Sequence, residues 1–350
     1  MSMEIKKELK DISLPITEPE YRNRPELSYS TLSTFERSGF DGLDHLFDKI
    51  ESPSLLFGSV VDTILTDGMD VFNDHYIVMD VNVTDGGKDV CHKLVELCSS
   101  TVSFEELPEE AVSHAAKLAG FWKADKWDNI RYKKVLETGN IAEYFNALVH
   151  NDRTLVDSDT YNDALRCIQV LKTATATQSY FANDDPLSPI RRYYQLKFAA
   201  KFHGIGYRCM ADLICVDYEK KKIIPCDLKT SGKPEWHFLD SFKLWGYMIQ
   251  ARLYWRIIKA NLMNDPYFKD FTLGNYRFIV VNRKTLTPLV WEFPLTSSIG
   301  TLIDEKGTVY RDPFDIGKEL SGYLKERPQV PVGISKDGIN QLEGFSLQDI

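Results

Sequence analysis

The 350-residue chain reads as an α/β fold, a central mixed β-sheet flanked by helices with a helical region inserted ahead of it. Three observations lead there. The runs 193–202 and 207–216 carry alternating and aromatic residues, a third run follows at 223–229, and turn-length joints, His203-Gly-Ile-Gly206 and Asp217-Tyr-Glu-Lys-Lys221, separate them, so they read as a meander of antiparallel hairpins. A long apolar helix is expected over 237–260, followed by further strands at 276–282 and 289–293 that extend the sheet. Between 72 and 190 the pattern is helical, with helices expected at 111–118, 141–149 and 159–173.

In chain order, residues 1–26 are polar and hold Pro15, Pro19 and Pro25, the pattern of an N-terminal leader lying over the surface. Leu27-Ser-Tyr-Ser-Thr-Leu-Ser-Thr-Phe-Glu-Arg37 then offers a Ser N-cap followed by Leu32 and Phe35 at helical spacing. By itself this is a capped helix. In Leu55-Leu-Phe-Gly58-Ser-Val-Val-Asp62-Thr-Ile-Leu65 an acidic residue appears within an otherwise apolar helical run, where a carboxylate needs a partner. The aromatics of the 72–190 region, among them Phe121, Trp122, Trp127, Tyr144 and Phe145, read as core in preference to base-stacking platforms. Beyond the sheet, 301–350 holds a helix near 316–325 and a tail at 341–350.

The meander also carries chemistry. Centring the second joint between Glu219 and Lys220 puts Asp212 opposite Asp227 on neighbouring strands, with Cβ atoms about 5 Å apart. Lys229, two residues on, shares that face. Two facing acids repel, and a divalent cation removes the conflict. A Mg2+-type site beside an ammonium suits phosphodiester hydrolysis, with the lysine orienting a water or stabilising developing charge. The competing reading is that these are ordinary charges on a solvated strand face. Against it, Ile223-Ile-Pro-Cys226 leads into Asp227 as a buried strand would.

Ala211-Asp212-Leu213, Pro225-Cys-Asp227-Leu-Lys229-Thr230 and, on the following helix, Gln250-Ala-Arg-Leu-Tyr254 together resemble the RecB-like, exonuclease VIII-type phage branch of the PD-(D/E)XK nucleases. The Ser-x-Ser-x-Leu-x-x-Phe opening and Phe57-Gly58-x-x-x-Asp62, where relatives carry histidine, are similar to the same branch. The resemblance implies a restriction-endonuclease-like core over 27–300, with 72–190 as its helical insertion and 191–300 as its sheet. It further implies Mg2+, with Mn2+ as a substitute, held by Asp62, Asp212, Asp227 and the Leu228 carbonyl. Lys229 would position the attacking water, and Gln250 with Tyr254 would hold the DNA strand. Gln195 stands where the family often has glutamate; it can orient a water or phosphate but is a poor Mg2+ ligand.

Composition sets the outer bounds. A formal charge of −9 argues against a protein that coats nucleic acid nonspecifically, though Arg191, Arg192, Lys197, Lys201, Arg208, Lys220–Lys222 and Lys229 offer a local basic lining. The six cysteines form no Cys-x-x-Cys pair, and none follows Cys226, so the iron–sulfur cluster of some relatives is not expected and reduced thiols in a cytoplasmic setting are. No signal peptide or bilayer-spanning run is recognisable. The expectation is a metal-dependent exonuclease resecting DNA ends, linear duplex or single-stranded, in phage-type recombination or repair. A single-strand annealing protein is its implied partner, self-association is allowed, and no membrane is involved. The alternatives are an endonuclease or nickase on the same core, or a catalytically silent DNA-binding scaffold favoured by Gln195 and the acidic charge.

Overall fold

The structure, a computed structural model, describes residues 5–47, 52–98, 102–150, 152–294 and 300–326. The expected tail at 341–350 lies outside them. The chain divides into two bodies, one formed by Met1–Glu51 with Leu171–Ile350 and the other by Ser52–Val170.

The first body is built on a six-stranded mixed sheet. Strands β1 (Ile190–Phe202), β2 (Ile205–Asp217) and β3 (Lys222–Thr230) form the antiparallel meander. The first joint is tighter than expected, because His203 and Gly204 both take positive φ, 50° and 81°, the combination that closes a two-residue hairpin and carries both strands further toward the turn. The second register matches the sequence expectation, with Leu213 opposite Cys226 and Asp217 opposite Lys222. Short β4 (Thr272–Leu273) and β5 (Tyr276–Val281) both pair with β3 in parallel, and β6 (Leu289–Phe293) closes the other edge antiparallel to β5. The sheet therefore turns from antiparallel to parallel along β3. Its first half ladders with β2, and its second, from Cys226 to Thr230, with β5.

Helices cover this sheet. The expected single helix over 237–260 is interrupted: α3 (Phe238–Leu244) and α4 (Tyr247–Asn264) are separated at Trp245 and Gly246. Gly246 adopts the left-handed conformation, φ 66° and ψ 37°, which ends one helix and re-aims the next. α4 lies across β1, β2 and β5 and buries Leu253, Ile257, Ile258 and Leu262 there. Each such side chain contributes about 1.5–3 kcal/mol relative to exposure. Two helices from the ends of the sequence join the same core, α1 (Tyr29–Ser38), whose Ser28 cap accepts from the Thr31 N–H, and α5 (Pro313–Lys325). α5 begins beside a buried ionic network in which Asp312 takes Arg252 and Arg256. The stretch expected to lie over the surface contributes Leu9 and Tyr21 to the buried set, and the Leu9 N–H donates to the Tyr218 hydroxyl at 3.0 Å.

The second body is mainly helical. Its helix at Pro53–Thr66 is capped by Ser52 and buries Phe57, Val60, Val61, Ile64 and Leu65. Helices at Glu109–Leu118 and Ile141–His150 match expectation, and with Asp85–Leu97 they enclose Val90, Leu94, Val112, Ala115 and Phe145. Phe145 is core as expected, whereas Trp122 stays partly exposed and pairs edge-on with Trp127. A parallel pair of short strands, Tyr76–Val78 and Thr154–Val156, was not expected from the pattern. Among the described residues, no helix is long and apolar enough to cross a membrane.

Candidate functional site

The site forms where β2 and β3 part. Their ladder ends at Leu213–Cys226, so it does not extend to the next position, where Asp212 on β2 would face Asp227 on β3. The Asp212 carboxylate reaches across instead and accepts the Leu228 N–H at 2.9 Å. A strand residue directs its N–H and C=O toward the same neighbour, so the Leu228 carbonyl faces this gap too. The β1 ladder is interrupted at the same level: Tyr194 pairs with Leu213 and Leu196 with Ala211, while Gln195 between them takes φ 52°. Gln195 is thus placed opposite Asp212, in a left-handed backbone conformation that a non-glycine residue rarely adopts.

Asp227 sits deep, with 1% of its side chain exposed, and Lys229 is 20% exposed. The Lys229 ammonium meets Asp227 Oδ2 at 2.6 Å, and the Gln250 amide donates to Asp227 Oδ1. One carboxylate is therefore held from its own strand and from α4 at once. Burial, the largest influence on Lys229, works to lower its pKa. The charge of Asp227, with smaller contributions from Tyr247, Asp212 and Tyr29, outweighs it and holds the pKa well above the ordinary lysine value. The ammonium also lies over the Tyr247 ring, 4.6 Å from its centroid.

Gln250 and Tyr254 share a face of α4 as their spacing requires, and both are buried. Burial pushes the Tyr254 phenol well up, and Asp227 and Asp212 add to the effect. Tyr29, Tyr247 and Tyr276 are site neighbours that sequence reasoning passed over. Tyr247 stands three residues before Gln250 and Tyr29 lies in the Ser-capped helix, so both were within reach of helical spacing. Asp62 is on the Pro53–Thr66 helix of the second body.

The three arginines of the expected basic lining serve the fold. Arg191 donates to the carbonyls of Asp185, Pro186 and Ser188, Arg192 to Ser179 and Asp184, and Arg208 to the Arg24 carbonyl while lying over Tyr21. Lys201, Lys220, Lys221 and Lys222 remain exposed.

The donors at the gap suit a hard cation. Asp212, Asp227 and the Leu228 carbonyl offer oxygens of the kind Mg2+ takes. Among the described residues, buried Gln250 Oε1 and Tyr276 Oη have no hydrogen-bond partner. The waters of a hydrated ion would satisfy such atoms. No group of three or more His, Cys, Asp or Glu side chains gathers as a metal cage among the described residues.

No family model matches the chain. No curated protein matches it either. Among solved structures, it is similar to the crystal structure of a candidate exonuclease from Eubacterium rectale, at 14% identity over 81% of this chain and 80% of that one. The TM-score is 0.42, a loose likeness on which no assignment rests.

Proposed function

We propose that the protein is a metal-dependent nuclease that hydrolyses phosphodiester bonds from DNA ends. The observation that carries this reading is the gap between β2 and β3, where Asp212, Asp227 and Lys229 converge while Gln250 holds Asp227 from α4. Asp212, Asp227 and the Leu228 carbonyl would hold Mg2+. When bound, that ion polarises the phosphate and lowers the pKa of a coordinated water.

The protein's own groups have separable roles. Asp227 stabilises the Lys229 charge against burial and holds its pKa above the ordinary lysine value. Lys229 acts as a fixed positive donor, orienting the attacking water or neutralising charge that builds on the phosphate oxygens. Tyr247 covers the ammonium and limits its hydration. Gln250 fixes the rotamer of Asp227, and Gln195, opposite Asp212, orients water or phosphate. Strand contact by Gln250 and Tyr254 follows from the family resemblance, whereas the Gln250–Asp227 bond supports a positioning role.

The test is incubation with end-labelled linear duplex and with covalently closed circles, with and without Mg2+. Linear DNA is degraded progressively from its ends only with the metal, circles are spared, and Lys229→Met loses about 10²–10⁴-fold in rate. Rapid nicking of closed circles by pure protein would move the assignment to an endonuclease. Absence of cleavage with Mg2+ and with Mn2+ would leave a DNA-binding scaffold.

A further inference from the structure

Helix α1 carries Tyr29, Ser33 and Arg37 at successive four-residue spacing, which lines them along one face over about 12 Å. This face runs from the gap outward. At its first end the Tyr29 ring lies 6.2 Å from that of Tyr247, the ring beneath the Lys229 ammonium. The Tyr29 hydroxyl donates to the Trp245 carbonyl at 2.8 Å, tying α1 to the break between α3 and α4. At its far end Arg37 donates from Nε to the Ser33 carbonyl, and its guanidinium lies over the Trp245 indole, 5.2 Å from the ring centroid.

Trp245 is 45% exposed although it is the largest kind of apolar side chain, and it is held at both ends, by its carbonyl and by its ring. Beside it is a pocket of about 180 Å³ lined by Ser33, Arg37, Trp245, Gly246, Met248 and Tyr310. This is below the ~300–1,000 Å³ that encloses a whole small-molecule ligand and suits a single planar ring. Lys243 and Arg311 border the same pocket, ion-paired with Asp304 and with Glu36 and Glu319, while exposed Arg37 keeps its guanidinium on the indole. A flat π-surface backed by an exposed arginine is a combination by which proteins hold single strands without reading their sequence.

We propose that Trp245, backed by Arg37, is a base-stacking platform for a single-stranded DNA segment that continues toward Lys229. The proposal rests on the nuclease reading for the identity of its ligand and deepens it. The platform selects frayed or resected ends, because a base in a duplex does not present its face to the indole.

Binding is measured by fluorescence anisotropy of labelled oligothymidylate in EDTA, where no hydrolysis occurs, with an abasic oligomer of equal charge as the comparison. Wild type binds oligothymidylate more tightly than the abasic strand. Trp245→Ala weakens oligothymidylate binding roughly 5- to 150-fold and brings the two strands together, whereas Trp245→Phe retains most of the difference. Should Trp245→Ala fail to fold, Trp245→Leu and Trp245→Phe make the same comparison, since both fill the space and only phenylalanine stacks. Binding of oligothymidylate unchanged in Trp245→Ala or Trp245→Leu, or equal binding of abasic strand by wild type, overturns the platform. The two proposals fail separately. Cleavage that requires Lys229 with binding indifferent to Trp245 removes the platform alone, and Trp245-dependent binding without cleavage in any divalent cation removes the hydrolase alone.

Discussion

Replacing Asp227 by asparagine tests the central pair of the site without reference to any substrate. The side chain is 1% exposed, and its carboxylate holds a 20%-exposed ammonium at 2.6 Å. Asparagine keeps the shape and removes the charge. Lys229 is then left beneath α4 with no carboxylate against it, and burial, already the largest influence on its pKa, pushes the value down. Removing one member of a buried pair costs about 3–5 kcal/mol, because the surviving charge keeps its desolvation penalty. Lys229→Met leaves Asp227 in the converse position at similar cost. The double variant Asp227→Asn/Lys229→Met has neither charge, so it is more stable than the sum of the two losses by about 2–3 kcal/mol. Urea unfolding followed by circular dichroism reads all four free energies. The pH dependence has a definite sign. The folded pKa of Lys229 is raised, so its stabilisation is complete below the unfolded value of about 10.4 and is lost only as pH climbs toward the folded value. The gap between wild type and Asp227→Asn is therefore widest near neutral pH and narrows as pH rises, first as the variant's lysine, its pKa lowered by burial, loses its proton below the unfolded value, and then as wild type loses its ammonium above about pH 10. Losses that add to within about 0.5 kcal/mol would show that the pair is not coupled and refute the reasoning.

Two further outcomes test the frame around the site. Gly246→Ala places a Cβ 3.4 Å from Ile249 Cδ1, ordinary contact, so its cost is the left-handed backbone alone, about 1–2 kcal/mol, with Gly246→Asn milder; thermal melts compare the two. Asp312→Asn strips the counter-charge from buried Arg252 and from Arg256 and costs about 3–5 kcal/mol at neutral pH. Burial works to raise the Asp312 pKa, but the two arginines and the Phe314 N–H hold it below the usual carboxylate value. Its stabilisation is therefore present above the unfolded value of about 3.9 and lost as pH falls through the lower folded value. Unfolding curves at about pH 7 and pH 3 thus show the gap narrower by about 1 kcal/mol at the lower pH.

Sequence periodicity by itself determined the meander and its register. Strand side chains alternate with period two, and a one-residue slip would have turned Ile223, Cys226 and Asp227 to the wrong faces, so turn length and apolar pattern leave a single pairing. The convergence of Asp227 and Lys229 follows from the same local rule, as does the shared face of Gln250 and Tyr254. The assignment of Asp62 to a metal rests on family resemblance. Other features depended on segments far apart in the chain. Helical periodicity ran unbroken through 237–260, and only packing of α4 across the sheet required Gly246 to divide it. Neither the opening of both ladders at Asp212 nor the turn of its carboxylate to the Leu228 amide could be read from spacing, because alternation specifies a face and not a hydrogen-bond partner. Gln250 was expected to reach a DNA strand or the catalytic lysine region, and only the tertiary structure shows its amide donating to Asp227, since a carboxylate buried that deeply has to be satisfied by whichever donor the covering helix presents.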